Sequence, residues 1–246
     1  MGVRRTKKLL EAINPYVSPD KLEAAVQEIL AVGDFGAILR VIESENWPGY
    51  DFGHHLARIV ARSHVCDEPA VIEALSRSGT KARGVLLDII AAHGSERSVP
   101  AVVGLRAWAH AHWDGYREYD GWTPELDRAT ESLLARCPYA FLGIAAQGSG
   151  YADDTRAAAI SVFEPLRLQV SKLPTELRES ILDVQGAMLS EPNERLQYHL
   201  EDWSVRKGMC ERLTSAFAAT PYKPQPVADA ALSAGAPPKR RWWFWK

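Results

Sequence analysis

The chain of 246 residues has three cysteines, Cys66, Cys137 and Cys210, far apart and never in a C-x-x-C pair. An odd and scattered set offers neither a disulfide framework nor a zinc site, and points to a reducing compartment. Charge of one sign is also missing: 29 Lys and Arg stand against 31 Asp and Glu, a formal net charge of −2. A body that held nucleic acid through its phosphates would carry a clear positive excess, so nucleic acid is an unlikely partner. No run approaches the roughly 18 apolar residues of a membrane-spanning helix. Leu9 and Leu10, between Lys8 and Glu11, are too short for a signal peptide core. Met1, Gly2 and Thr6 satisfy the loose myristoylation pattern, which matters only where the enzyme for it exists.

Catalytic signatures are as scarce. There is no G-x-S-x-G, no Walker lysine, and no H-E-x-x-H. Gly148-Ser149-Gly150 lacks the third glycine of a dinucleotide loop and reads as a turn. His54 and His55, adjacent on a helix, diverge by about 100°, a poor arrangement for a shared metal, with one expected buried and one exposed; His110 and His112 also diverge on a helix, although on a strand they would align. Asp114 to Glu125 has acids at positions 1, 5, 7 and 12 of a calcium-loop frame, but Tyr116 and Tyr119 stand where a ligand and the turn glycine are required. Carboxylate pairs such as Glu125 with Asp127, or Glu176 with Glu179, read as solvated helix-face residues. No catalytic residue, metal ligand or cofactor is nominated.

What is present is helical periodicity. Leu22, Val26, Ile29 and Leu30 share a face, as do Leu86, Ile89, Ile90 and His93, and strand-like alternation is almost lacking. Breaks fall at Gly33-Asp34, Trp47-Pro48-Gly49, Asp67-Glu68-Pro69, Ser78-Gly79, Gly94-Ser95, Thr123-Pro124, Cys137-Pro138, Gly148 to Gly150, Pro174-Thr175 and Glu191-Pro192. Several put a cap residue or proline where a helix would begin. Ala37-Ile38-Leu39, Ala70-Val71-Ile72 and Ala101-Val102-Val103 recur at the period of a helical hairpin.

The stretch around Gly94, Val99, Pro100, Ala101 and Val102 resembles a HEAT repeat of the phycobilin-lyase kind, with Val103 where that family usually has Leu. An earlier unit keeps Pro69, Ala70, Val71 and Ile72 but has His64 near the glycine position; the first keeps Gly33, Ala37, Ile38 and Leu39 without the proline. The resemblance covers residues 20–110 and its motif encodes packing, not chemistry. It implies an all-α fold of stacked antiparallel helical hairpins, a HEAT-like α-solenoid with a binding groove. An irregular all-α globule with accidental spacing is the alternative.

The expected organisation is an N-terminal basic arm over 1–19, a helical repeat domain over 20–217, a disordered Pro/Ala-rich linker over 218–238 and a basic-aromatic tail over 239–246. Five prolines and seven alanines leave the linker too little bulky apolar surface for a core. Extended at about 3 Å per residue, it would span some 50 to 60 Å.

Two candidate binding surfaces follow. In the body, Trp108, Trp113, Tyr116, Tyr119 and Trp122 are interleaved with charges and form a partner-binding loop, or else cover the end of the core. In the tail, Lys239, Arg240, Arg241, Trp242, Trp243, Phe244, Trp245 and Lys246 form a docking motif for a protein groove or, reversibly, for an anionic membrane; an inert end is the bland reading. The function expected from this pattern is a non-catalytic scaffold or adaptor, cytoplasmic or peripheral at the inner face of a membrane. It binds a protein partner and docks through the tail to a second surface. A HEAT-like enzyme such as a DNA glycosylase or lyase, and an inhibitor or immunity-type protein masking a partner, are the alternatives.

Overall fold

The computed structural model describes residues 18–47, 49–111, 123–148, 150–163 and 175–191. Among them are ten α-helices and no strand: α1 Pro19–Ala31, α2 Phe35–Ser44, α3 Gly49–Arg62, α4 Glu68–Arg77, α5 Thr80–His93, α6 Val99–Ala111, α7 Thr123–Arg136, α8 Pro138–Ala146, α9 Asp153–Ser161 and α10 Thr175–Ser190, with a 3-10 turn at Glu96–Ser98 before α6. The protein is all-helical over these residues. No described helix is long and apolar enough to cross a membrane.

Local chemistry sets the boundaries. Asp34 accepts a hydrogen bond from the Ala37 amide at 3.2 Å, and Asp67 accepts one from Ala70 at 3.2 Å, so α2 and α4 start with the same cap. Each satisfies an amide that the first helical turn leaves without a partner. Gly33, at φ 76°, takes the left-handed turn that closes α1. Pro69 and Pro138 sit in the first turns of α4 and α8, where a missing N–H costs nothing.

Helices α1 to α5, with residues 123–129 of α7, belong to one compact unit. Within it α1 packs on α2 and α3, α3 on α5, α2 on α4 and α5, and α4 on α5. Leu22, Val26, Ile29 and Leu30 are buried, as the sequence periodicity predicts, with Ile38, Ile42, Leu56, Ile59, Val60 and Leu75. α5 is the most enclosed helix: Ala82 through Leu87, Ile89 and Ile90 are all buried. Its glycine N-cap makes no side-chain cap bond. Glu45 replaces it, accepting from the Ala82 amide at 2.9 Å across the fold.

Residues 99–111 of α6 and 130–136 of α7 belong to the other unit with α8, α9 and α10. There α8 packs on α6, α9 and α10, and α9 packs on α6 and α10. Phe141 and Phe163 meet edge to face with centroids 6.3 Å apart. Arg156 is 3% exposed. It donates to the Ala145 carbonyl at 3.1 Å and to both oxygens of Glu191 at 2.9 and 2.7 Å, a bidentate pair that offsets the cost of burying a cation.

Two glycines on helices make opposite predictions. A Cβ at Gly53 would lie 2.6 Å from Val85 Cγ2 and 3.3 Å from Trp47 Cζ2. Gly53→Ala is expected to destabilise the fold by about 1–3 kcal/mol through overpacking. A Cβ at Gly104 would meet nothing within 4 Å. Gly104→Ala is expected to stabilise by up to about 1 kcal/mol, the helix-propensity difference. Urea unfolding of the two variants checks both signs.

Candidate functional site

The close passage of α3 over α5 at Gly53 and Val85 brings the next residue, His54, over Asp88, one turn beyond Val85 on α5. His54 Nδ1 lies 2.6 Å from Asp88 Oδ2. An ionised carboxylate only accepts, so this nitrogen carries the proton. Its other ring nitrogen, Nε2, is 3.9 Å from Glu125 Oε1 in the first turn of α7. Arg128, one turn further on α7, donates through Nη2 to Asp88 Oδ1 at 2.8 Å and to Glu125 Oε1 at 2.8 Å, and through Nε to Asp88 Oδ1 at 3.2 Å. All four residues lie in the first unit.

Burial within the cluster is uneven. The side chains of His54 and Glu125 are 12% and 5% exposed, while that of Arg128 is 51% exposed. Glu125 Oε2 is buried and has no hydrogen-bond partner among the described residues. Burial opposes the charge of Arg128, but its hydrogen bond to Asp88 and the charges of Asp88 and Glu125 hold its pKa above the ordinary arginine value. One nitrogen of His54 and one oxygen each of Asp88 and Glu125 all lie within 4.8 Å of one another, a mixed nitrogen and oxygen donor set.

A second polar knot lies on the same unit. Glu68, at the start of α4, accepts from the Ser95 amide at 2.6 Å, from the Ser95 hydroxyl at 2.7 Å and from the Ser98 hydroxyl at 2.6 Å. It ties α4 to the turn after α5. Beside it, burial first, and then the charges of Glu68 and Asp67, push the Cys66 thiol up to about 11. The thiolate is therefore scarce at neutral pH.

Glu125 is corrected by these positions: it is 4% exposed, not a solvated helix-face residue, because α7 turns it toward His54. Glu176 and Glu179 are exposed, as expected. His54 and His55 are both only partly exposed, where one buried and one exposed ring were expected, and His54 finds its partners on other helices. Trp108 is half-buried on α6. Trp113, Tyr116, Tyr119 and Trp122, and the tail residues Lys239 to Lys246, lie outside the described residues, as do His112, the linker and residues 1–17. The signal for the cluster was Asp88, a single acid inside the apolar run from Val85 to Ile90.

No family model matches the chain, nor does any curated protein or any solved structure.

Glu68 gives a pH prediction. Burial raises its pKa, but the hydrogen bonds from Ser98 and Ser95 and the charge of Arg97 outweigh it, leaving the carboxyl below its ordinary 4.5. A pKa depressed by folding contributes stability that is present above the unfolded value and lost as pH falls through the folded one. Glu68→Gln is expected to be less stable than wild type at pH 7, with the difference shrinking below about pH 4.5. Thermal unfolding from pH 7 to pH 3 reads this directly.

Proposed function

We propose that the protein is a non-catalytic helical-repeat adaptor whose body binds a protein partner and whose C-terminal motif docks to a second surface. The observation that carries this reading is the alternating packing of the first unit. There α1, α3 and α5 touch in succession, α2 and α4 touch each other, and the Asp34 and Asp67 caps recur at the same point of successive hairpins. This packing supports the stacked-hairpin arrangement that the HEAT resemblance implies, and stacks of that kind bind partners along an extended face.

The motif from Lys239 to Lys246 supplies the second contact. Its four cations contribute about 1 kcal/mol each near an anionic surface, and its indoles favour places apolar at one end and wet at the other. Neither is strong alone. Joined to the body by the Pro/Ala-rich linker, the second contact becomes intramolecular and gains from effective concentration. In this reading the protein works in the cytoplasm, or at the inner face of a membrane when the tail is engaged there.

Deleting residues 239–246 is expected to leave the melting temperature unchanged and to abolish attachment. Co-sedimentation with vesicles containing phosphatidylserine, with and without the tail, reads the membrane form; equal pelleting of both chains removes it. Pull-down with the isolated tail peptide reads the protein form. A tail that binds neither vesicles nor protein would overturn the two-surface adaptor.

A further inference from the structure

We infer that His54, Asp88 and Glu125 form a binding site for one divalent transition-metal cation, with Arg128 occupying the cation's place until it arrives. The inference is independent of the adaptor reading. Three donors of the right kinds converge from α3, α5 and α7, with one ligand atom from each within 4.8 Å of the others. Bound to a cation at about 2.0–2.2 Å, such atoms would stand roughly 3 Å apart, so closure requires the hydrogen bond between His54 Nδ1 and Asp88 to open and the three side chains to draw together. One imidazole and two carboxylates suit Mn²⁺ or Zn²⁺, since imidazole favours the later metals and carboxylate the harder ones.

The second observation is the state of Glu125. Its side chain is 5% exposed, yet Oε2 has no hydrogen-bond partner among the described residues. A buried carboxylate oxygen left without a partner is costly. Charge points the same way: before His54 is counted, two carboxylates meet one guanidinium. A dication in place of that guanidinium would balance both acids and give Oε2 a ligand role.

Arg128 can leave. Its side chain is 51% exposed, and its contacts to Asp88 Oδ1 and Glu125 Oε1 use lone pairs that a metal would need. Arg128 and the cation therefore compete. This separates a metal site from an ion network that serves packing alone, because removing the arginine weakens the second and strengthens the first.

The test uses the full chain after chelator treatment, with Mn²⁺ as the probe and bound metal counted by electron paramagnetic resonance. The expected result is one Mn²⁺ per chain, with affinity reduced at least about tenfold in Glu125→Gln and in His54→Gln. The exposed His64→Gln serves as a control and should bind like wild type. Arg128→Ala should bind more tightly than wild type and show the larger Mn²⁺-induced rise in melting temperature. The site is overturned if no stoichiometric Mn²⁺ binds, or if binding is the same in Glu125→Gln and wild type. Should the buried variants not fold, Arg128→Ala decides alone: a Mn²⁺ response no larger than that of wild type overturns the inference.

Discussion

The contact between Gly53 on α3 and Val85 on α5 sets how near two helices come, and the first unit is organised around that distance. With no side chain at position 53, α3 settles against Val85 and Trp47, leaving no room for even one methyl. Packed interiors resist such additions because neighbouring side chains already sit in favourable rotamers. With α2 and α4 also packed on it, α5 is buried along most of its length. Once α5 is enclosed, its single acid, Asp88, must find partners within the protein. It does so with His54, one residue beyond Gly53, and with Arg128. Close packing and the polar cluster thus have one cause.

Carboxylates serve elsewhere as the joints between helices. Glu45, in a left-handed conformation at the end of α2, caps α5 where Gly79 has no side chain to offer. A Cβ at Gly79 would lie 2.6 Å from Glu45 Oε1, so the glycine also makes room for the acid that caps in its stead. Glu68 binds the turn after α5 with three hydrogen bonds. In the second unit Glu191 holds Arg156, and its carboxyl is kept below the ordinary range by the hydrogen bond from that guanidinium, with burial opposing and the arginine's charge assisting. Turns that carry little apolar surface are fixed here by charged acceptors rather than by packing.

Helix positions were legible because punctuation is local. A proline, a glycine or a capping acid acts through the nearest turn of backbone, so Gly33-Asp34, Asp67-Glu68-Pro69, Gly94-Ser95 and Cys137-Pro138 mark helix boundaries without knowledge of the rest. The buried stripe of α1 was legible for the same reason. The cluster was not. Its members are far apart in sequence, and each looks ordinary alone: His54 beside a second histidine, Glu125 in a first turn where acids are common. What makes Glu125 buried is the surface it faces, and that is a property of three helices together. Asp88 was the exception, since an acid flanked by Leu87 and Ile89 on a helix apolar on most faces has little solvated surface to point to.

A helical fold held together by apolar packing has no energetic need for such a cluster. Taking Glu125 and Asp88 out of water carries a desolvation cost that pairing seldom exceeds, and apolar residues of similar volume in such places are commonly as stable. Stability is therefore a poor explanation for these four side chains. Register is a better one, because the His54 to Asp88 bond at 2.6 Å is met by one alignment of α3 along α5 and lost by a shift of a single turn. A ligand is a further explanation, and the two are compatible: the register that brings His54 to Asp88 also keeps both donors near Glu125, where a cation could take over the bond between them.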